Sequence, residues 1–218
     1  MKLSLISGLF GLVALTATSA ASALVIDTTE TWNGSYRVGS FGESNTATYG
    51  QTFTLGQTAG LTDFTFFVGD KVDPGYVDFE AYVYAWDGVK ATGDALFMSS
   101  PYTTTDNQGL GGFEQFTIDT GVLSLDAGEY VAFFSASNLF DGVQSTAYFG
   151  NVDGKTYTEG SFVFMNNGSD FDRLTQDSWT AWNRDLAFTM NFVSVPEPLP
   201  IALLGLGLVG LFGSRRKI

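Results

Sequence analysis

Carboxylates and aromatic rings must carry whatever chemistry this 218-residue sequence performs, because it contains no cysteine and no histidine. Disulfides, thiolate nucleophiles, histidine-based triads and nearly every zinc site are thereby removed. An enzyme on such a chain would run on paired carboxylates, as glycosidases do with two of them about 5 to 10 Å apart. Asp78 and Glu80 alternate onto one face of a predicted strand, which suits that geometry. Carboxylates on the solvent face of an edge strand also keep sheets from pairing edge to edge. The E-x-D-x-x-E strand pattern of sandwich-type glucanases does not occur, so no residue is assigned a catalytic role.

Hard oxygen ligands are abundant in the loops Gly69-Asp70-Lys71-Val72-Asp73 and Asn166-Asn167-Gly168-Ser169-Asp170-Phe171-Asp172. Asp70, Asp73, Asp170 and Asp172 are the candidate calcium ligands, although neither loop has the full spacing of a calcium motif. Turns use the same Asn, Asp and Gly residues for their own backbone bonding. No other cofactor is expected. Asn33-Gly34-Ser35 and Asn167-Gly168-Ser169 match the N-x-S acceptor pattern and read as turns.

Sugar binding needs flat aromatic platforms beside hydrogen-bonding side chains. Trp32, Tyr36, Trp86, Tyr102, Trp179 and Trp182 are available, with Trp86, Trp179 and Trp182 the candidate glycan-binding residues. Trp179 and Trp182 stand close in sequence to Asp177, Asn183, Arg184 and Asp185. The same ring types also fill sandwich cores and rims.

These residues have to be positioned by strands. From 24 to 195 no helical period persists over three turns, whereas period-two and short apolar runs recur between Gly, Asp and Asn. Strands are expected at about 48 to 55, 61 to 68, 76 to 86, 112 to 119, 129 to 135, 146 to 149, 160 to 165 and 186 to 193. In Tyr76 to Trp86, Val77, Phe79, Ala81, Val83 and Ala85 point one way, and Tyr76, Asp78, Glu80, Tyr82, Tyr84 and Trp86 the other. With 26 Gly, 20 Phe and 9 Tyr, the composition also favours short strands joined by many turns. The expected fold is all-β: a two-sheet antiparallel β-sandwich of jelly-roll type spanning 24–194. No internal repeat is evident.

The formal net charge is −13, and between 24 and 195 there are 22 acidic residues against six basic ones, a net −16. Such a body repels phosphate backbones and anionic lipid, so nucleic acid is excluded as a partner class.

The two ends differ from the body. Residues 1–23 have a basic start at Lys2, an apolar stretch from Leu3 to about Leu15, and the small-residue run Ala21-Ser22-Ala23, which reads as a secretory signal cleaved after Ala23. At 195–218, Pro196, Glu197 and Pro198 are followed by an apolar run from Leu199 to Phe212 and the cations Arg215, Arg216 and Lys217. This reads as a junction, a transmembrane helix and a cytoplasmic basic end. Gly205 to Gly210 spells G-x-G-x-x-G inside that run, without the strand before it or the acidic residue after it that nucleotide binding needs. Its glycines suit close helix approach.

The three-part tail, Pro196-Glu197-Pro198, the Leu/Gly-rich stretch 203–208 and Arg215-Arg216-Lys217, resembles the PEP-CTERM sorting signal. That resemblance implies a Gram-negative producer of exopolysaccharide, and cutting near the Pro-Glu-Pro element by an exosortase. The Sec translocon and signal peptidase would act at the other end. The tail would hold the protein transiently in the inner membrane before delivery to the cell surface or extracellular matrix. The body is similar to those of other exported PEP-CTERM proteins in the runs Gln51 to Thr54, Leu61 to Phe64, Ala81 to Gly88 and Gly160 to Phe164, which implies a sandwich and no site residues. The expected function is that of a non-catalytic surface or matrix protein associated with exopolysaccharide or biofilm. A carboxylate-dependent glycan-active enzyme and a purely structural adhesin stand as alternatives.

Overall fold

Alternating or continuous apolar runs between glycine-rich turns commit this chain to strands. The computed structural model describes residues 23–43, 45–71, 76–105 and 112–195. Among them, thirteen strands form: β1 Leu24–Asp27, β2 Arg37–Phe41, β3 Thr48–Leu55, β4 Ala59–Asp70, β5 Asp78–Trp86, β6 Ala91–Met98, β7 Tyr102–Thr103, β8 Phe113–Leu125, β9 Gly128–Ser135, β10 Ala147–Gly150, β11 Phe162–Met165, β12 Thr180–Ala181 and β13 Phe188–Ser194. A four-residue helix, α1 (Arg173–Gln176), and two single 3-10 turns complete the described elements. No helix among the described residues is long and apolar enough to cross a membrane.

The strands make two antiparallel sheets. In the six-stranded sheet the long β4 is paired along one edge by β8. Its other edge is shared, with β13 along Ala59 to Phe66 and β10 along Val68 to Asp70. Beyond these, β1 pairs β13 and β2 pairs β10. Leu24 lies opposite Phe192, so the two ends of the 24–194 segment meet in one ladder. The seven-stranded sheet runs β12-β11-β3-β9-β5, with β6 and β7 end to end on the outer side of β5.

The inward faces meet in a core dominated by phenylalanine. Phe41, Phe53, Phe64, Phe66, Phe79, Phe134, Phe149 and Phe188 are all fully enclosed. Phe79 from one sheet strand stacks on Phe134 from the next at 4.5 Å, and Phe66 meets Phe134 edge-on at 5.0 Å across the sandwich. Each such side chain contributes on the order of 1.5–3 kcal/mol of burial, and edge-to-face pairing adds about 0.5–1.5 kcal/mol. A chain without disulfides is held by this packing.

The eight expected strands correspond to β3, β4, β5, β8, β9, β10, β11 and β13, with ends shifted and β4 and β8 longer than expected. The strands β1, β2, β6, β7 and β12 were not anticipated. β6 reads Ala91-Thr92-Gly93-Asp94-Ala95 at its start, and Gly-Asp there resembles a turn. Pairing with β5 overrides that local preference.

β5 differs from expectation in two ways. It lies between β9 and β6/β7 rather than at an edge, so Asp78 and Glu80 do not guard an exposed edge. Its outward face is also not a solvent face: Tyr82 and Tyr84 are buried in a second apolar cluster with Val131, Phe133, Val163, Met165, Leu174 and Trp179. The cover is the segment between β11 and β12, which carries α1. It is pinned by buried Asn167, whose side chain donates to Ser137 Oγ at 3.0 Å and accepts from the Thr48 hydroxyl at 3.0 Å. Antiparallel sheets often leave one face wet; here a segment of only some fifteen residues converts part of that face into a core.

Candidate functional site

Trp86 ends β5 on this covered face, half-buried, and Trp179 stands edge-on to it at 5.5 Å and 85°. Trp179 is only 7 % exposed, meets Phe133 edge-on at 5.2 Å, and donates its Nε1–H to the Leu174 carbonyl at 2.8 Å. It closes the second core and offers little surface to a ligand. Trp182, three residues later, packs on Phe162 and Phe164, each at 5.7 Å, whose rings face the other side of the sheet. β12 lies between the two tryptophans, and residues three apart along a strand emerge on opposite faces. The three tryptophans therefore do not form one platform.

The Trp86 ring instead lines a groove of about 320 Å³ with Thr54, Glu129, Lys155, Glu159 and Ser161. Glu129, Lys155 and Glu159 are exposed around the half-buried ring. Lys155 Nζ donates to Ser161 Oγ at 3.0 Å, and the Thr54 hydroxyl donates to the Glu159 carbonyl at 2.8 Å, which ties the groove wall to β3. A half-exposed indole flanked by two carboxylates, an ammonium and hydroxyls can stack one sugar ring and hydrogen-bond its hydroxyls.

The carboxylates singled out in the sequence are engaged in their own framework. Asp78 accepts from the Thr103 hydroxyl, and Glu80 accepts from the Tyr82 hydroxyl. Asn138 donates to the same Tyr82 oxygen at 3.2 Å. Burial, chiefly, and the adjacent Glu80 push the Tyr82 phenol well above its ordinary range. Asp78 also lines a cavity of about 350 Å³ near one end of the sandwich, together with Glu43 and Asp141. Glu43 accepts from the backbone N–H groups of Asp141 and Gly142, both at 2.9 Å, and Asp141 from that of Val143 at 2.8 Å. These acids hold turns.

Of the candidate calcium ligands, Asp170 and Asp172 are exposed in the turn that leads into α1. The Asp170 N–H donates to the Asn167 carbonyl at 3.1 Å and the Thr175 N–H to the Asp172 carbonyl at 3.1 Å. Asp73 and the Asp70 side chain lie outside the described residues. Among the described residues no group of three or more acidic side chains is arranged to hold a metal ion.

Asp185 is the one acid buried among the described residues. Its Oδ1 accepts from Gln51 Nε2 at 3.0 Å, and its Oδ2 from the N–H groups of Thr156 and Tyr157 at 2.7 Å each. Burial raises its pKa, and these hydrogen bonds offset part of the rise. With every partner in the scaffold, Asp185 closes the loop before β11 rather than facing a ligand.

The groove residues Glu129, Lys155 and Glu159 were not anticipated. They come from separate loops and strand ends, and no local spacing marks them. Of the sorting residues, Ala21, Pro196, Glu197, Pro198, Arg215, Arg216 and Lys217 lie outside the described residues, and Ala23 begins them.

No family model matches the chain, and no curated protein matches it. Among solved structures it is similar to the crystal structure of the cysteine protease and lectin-like domains of Cwp84, a surface layer associated protein of Clostridium difficile. The two share 13% identity at a TM-score of 0.44, over 70% of this chain and 33% of that one. This chain thus spans about a third of that structure's length.

Proposed function

We propose that this chain is an exported surface or matrix protein that associates with exopolysaccharide through its β-sandwich and performs no turnover. The observation that carries the reading is the Trp86 groove, a half-buried indole ringed by Glu129, Lys155, Glu159 and Ser161. Such a site binds a neutral or weakly charged glycan by stacking and hydroxyl hydrogen bonds, weakly per site and in many copies along a polymer. The chain holds no histidine or cysteine nucleophile, and Asp78 and Glu80 are bonded to Thr103 and Tyr82.

The sorting reading rests on the sequence. A signal at 1–23 and the PEP-CTERM-like tail at 195–218 send the body out, with an exosortase acting near Pro196 to Pro198. The tail leaves the inner membrane on processing, and the mature body reaches the cell surface or matrix of a Gram-negative biofilm. We read the wrapping of the strands, in which β1 closes against β13, as jelly-roll-like. Calcium enters as a variable of the test.

The test is retention of the purified protein on the producer's own exopolysaccharide, with calcium and with chelator, while free protein and released reducing ends are read together. Retention without sugar release is expected. Sugar release identifies a carboxylate-dependent enzyme instead, and loss of that release on Asp78 or Glu80 substitution would support it. Neither retention nor release leaves a structural adhesin. Intact mass of the mature protein checks sorting: an N-terminus at Leu24 and a C-terminus near Pro196 to Pro198 are expected, and an uncleaved tail overturns the exosortase reading.

A further inference from the structure

On the opposite side of the molecule, the outer face of the six-stranded sheet carries a row in which glycine and aromatic residues alternate from strand to strand. Gly39 of β2 lies opposite Tyr148 of β10, Tyr148 opposite Gly69 of β4, and Gly69 opposite Phe113 of β8. Val38, Val68 and Phe149, next to these positions, are buried in the core, so the row itself faces outward. A Cβ on Gly39 would stand 2.5 Å from the Tyr148 ring, and one on Gly69 3.1 Å from the Phe113 ring. A Cβ on Gly150 would stand 2.7 Å from the Trp32 ring. Glycines in these strand interiors thus clear flat beds on which rings lie against the sheet backbone.

The rings form one patch. Trp32 meets Phe67 and Phe113, each at 4.9 Å, and anchors its Nε1–H on the Tyr36 carbonyl at 2.9 Å. Beside it the Arg37 guanidinium stands 4.3 Å from the centre of the Tyr148 ring and the Lys71 ammonium 5.7 Å from it. Lys71 also donates to the Ser40 hydroxyl. Two of the body's six cations therefore converge here, against 22 acids. Both are exposed, and the one ion pair among the described residues joins Arg173 to Asp177 instead. Asp63 and Asp119 share this outer face, but six residues further along β4 and β8 from the Gly69–Phe113 pair, about 20 Å away at roughly 3.3 Å per residue.

We propose that this aromatic and cationic patch is a second glycan subsite, one that takes a carboxylated sugar, the uronic acid of an acidic polysaccharide. The proposal rests on the glycan reading of the Trp86 groove and names the chemistry of a part of the same ligand class. The Arg37 fork, held over the Tyr148 ring, presents paired N–H donors to a planar carboxylate, and Lys71 supplies a second positive charge beside it. The Trp32 and Phe113 edges provide the apolar wall against which the sugar's C–H face packs. A polyuronate carries at most one charge per sugar ring, whereas duplex DNA carries one per about 1.7 Å. Two cations on a body of net −16 suit the former.

Full-length protein is titrated against a uronic-acid oligosaccharide, a neutral glucan oligosaccharide of the same length, and a single-stranded oligonucleotide, at two salt concentrations. The uronic-acid oligosaccharide is expected to bind, at least fivefold more weakly at the higher salt. Its affinity should fall at least tenfold in an Arg37→Gln, Lys71→Gln double variant. That variant should remain folded, with its thermal midpoint lowered by no more than a few degrees for the lost Tyr148 and Ser40 contacts, and should hold the neutral glucan as tightly as before. Arg37→Lys, which retains the charge but loses the fork, should fall between. Trp86→Ala should weaken the neutral glucan and spare the uronic-acid ligand. Equal binding of the uronic-acid ligand by wild type and double variant overturns the subsite. Neutral glucan binding alone overturns it while leaving the Trp86 reading standing, and no glycan binding at all overturns both. Tighter binding of the oligonucleotide through Arg37 and Lys71 replaces the proposed ligand with nucleic acid.

Discussion

Gln51 and Asp185 are 134 positions apart in sequence and meet through a 3.0 Å hydrogen bond from the Gln51 amide to the carboxylate. The same Gln51 side chain accepts from the Leu186 N–H at 3.0 Å, so both ends of one amide tie β3 to the start of the β13 segment. Both residues are fully enclosed. Asp185→Ala leaves the Thr156 and Tyr157 N–H groups and the Gln51 amide without their acceptor. A buried donor left unmet costs about 1–3 kcal/mol, so a loss of about 2–4 kcal/mol in urea unfolding is expected, with Gln51→Ala costing less.

The Asp185 carboxyl also makes stability depend on pH in an unusual direction. Its folded pKa lies above the ordinary value because burial disfavours the charge, so the folded state holds the proton more tightly than the unfolded chain. The contribution of Asp185 is fully present below the unfolded value of about 3.9 and declines as pH rises through the folded one. The stability of wild type minus that of Asp185→Asn, measured by urea unfolding from pH 3.5 to 7, should shrink as pH rises. A difference that grows with pH contradicts the raised pKa.

Tyr49 gives the alkaline counterpart. Burial pushes its phenol up to about 12, with a hydrogen bond to Thr46 offsetting part of the shift. The unfolded chain releases that proton near 10, so stability attributable to Tyr49 is lost as pH rises from about 10 to 12. Ultraviolet titration of the folded protein should show the Tyr49 phenol ionising only as pH approaches about 12. Tyr49→Phe should unfold at higher pH than wild type.

Trp179 and Trp86 separate stability from binding. Trp179→Ala empties the second core and should cost about 3–5 kcal/mol, the usual range for a buried tryptophan. Trp86→Ala removes a half-buried ring and should cost no more than about 2 kcal/mol, while weakening neutral glycan retention at least tenfold. Equal retention by Trp86→Ala and wild type removes the groove from the proposed function.

Two glycines should respond in opposite ways to alanine. A Cβ on Gly160 would lie 1.8 Å from the Thr52 carbonyl oxygen, in backbone fixed by the Thr52 N–H bond to the Ser161 carbonyl at 2.9 Å. Gly160→Ala must displace main chain and should cost about 3 kcal/mol or more, at or above the range for an overpacked site. Gly56 has nothing within 4 Å of the added atom, and Gly56→Ala should be neutral or stabilise by up to about 1 kcal/mol. Thermal melts of the two variants distinguish these outcomes directly.

Much of the architecture was legible because period two is a local signal. Phe188, Met190 and Phe192 alternate with Thr189 and Asn191 in sequence and face the core in the structure. The two faces of β5 were legible from alternation, but the cover over the outward one was not, because Tyr82, Tyr84 and Trp86 carry the same pattern whether water or a covering loop lies above them. Nothing local announces that the segment holding Leu174 and Trp179 folds back over them. The aromatic patch left one trace: Val38-Gly39, Val68-Gly69 and Phe149-Gly150 each pair an inward apolar residue with an outward glycine, as a strand must where a ring lies flat on its face.

By itself the sequence determined the strand class, the acidic body and the absence of thiol and imidazole chemistry, since composition and alternation need no knowledge of partners. Tertiary structure alone decided that Trp179 is core while Trp86 lines a groove, and that Trp182 faces the other way. It alone brought the Trp32 to Arg37 segment, Lys71 and Tyr148 together from three separate places in the chain. The physical reason is that ligand surfaces on a β-sandwich are assembled across strands, through pairings that span more than a hundred residues. Sequence spacing governs only which face of its own strand a residue takes.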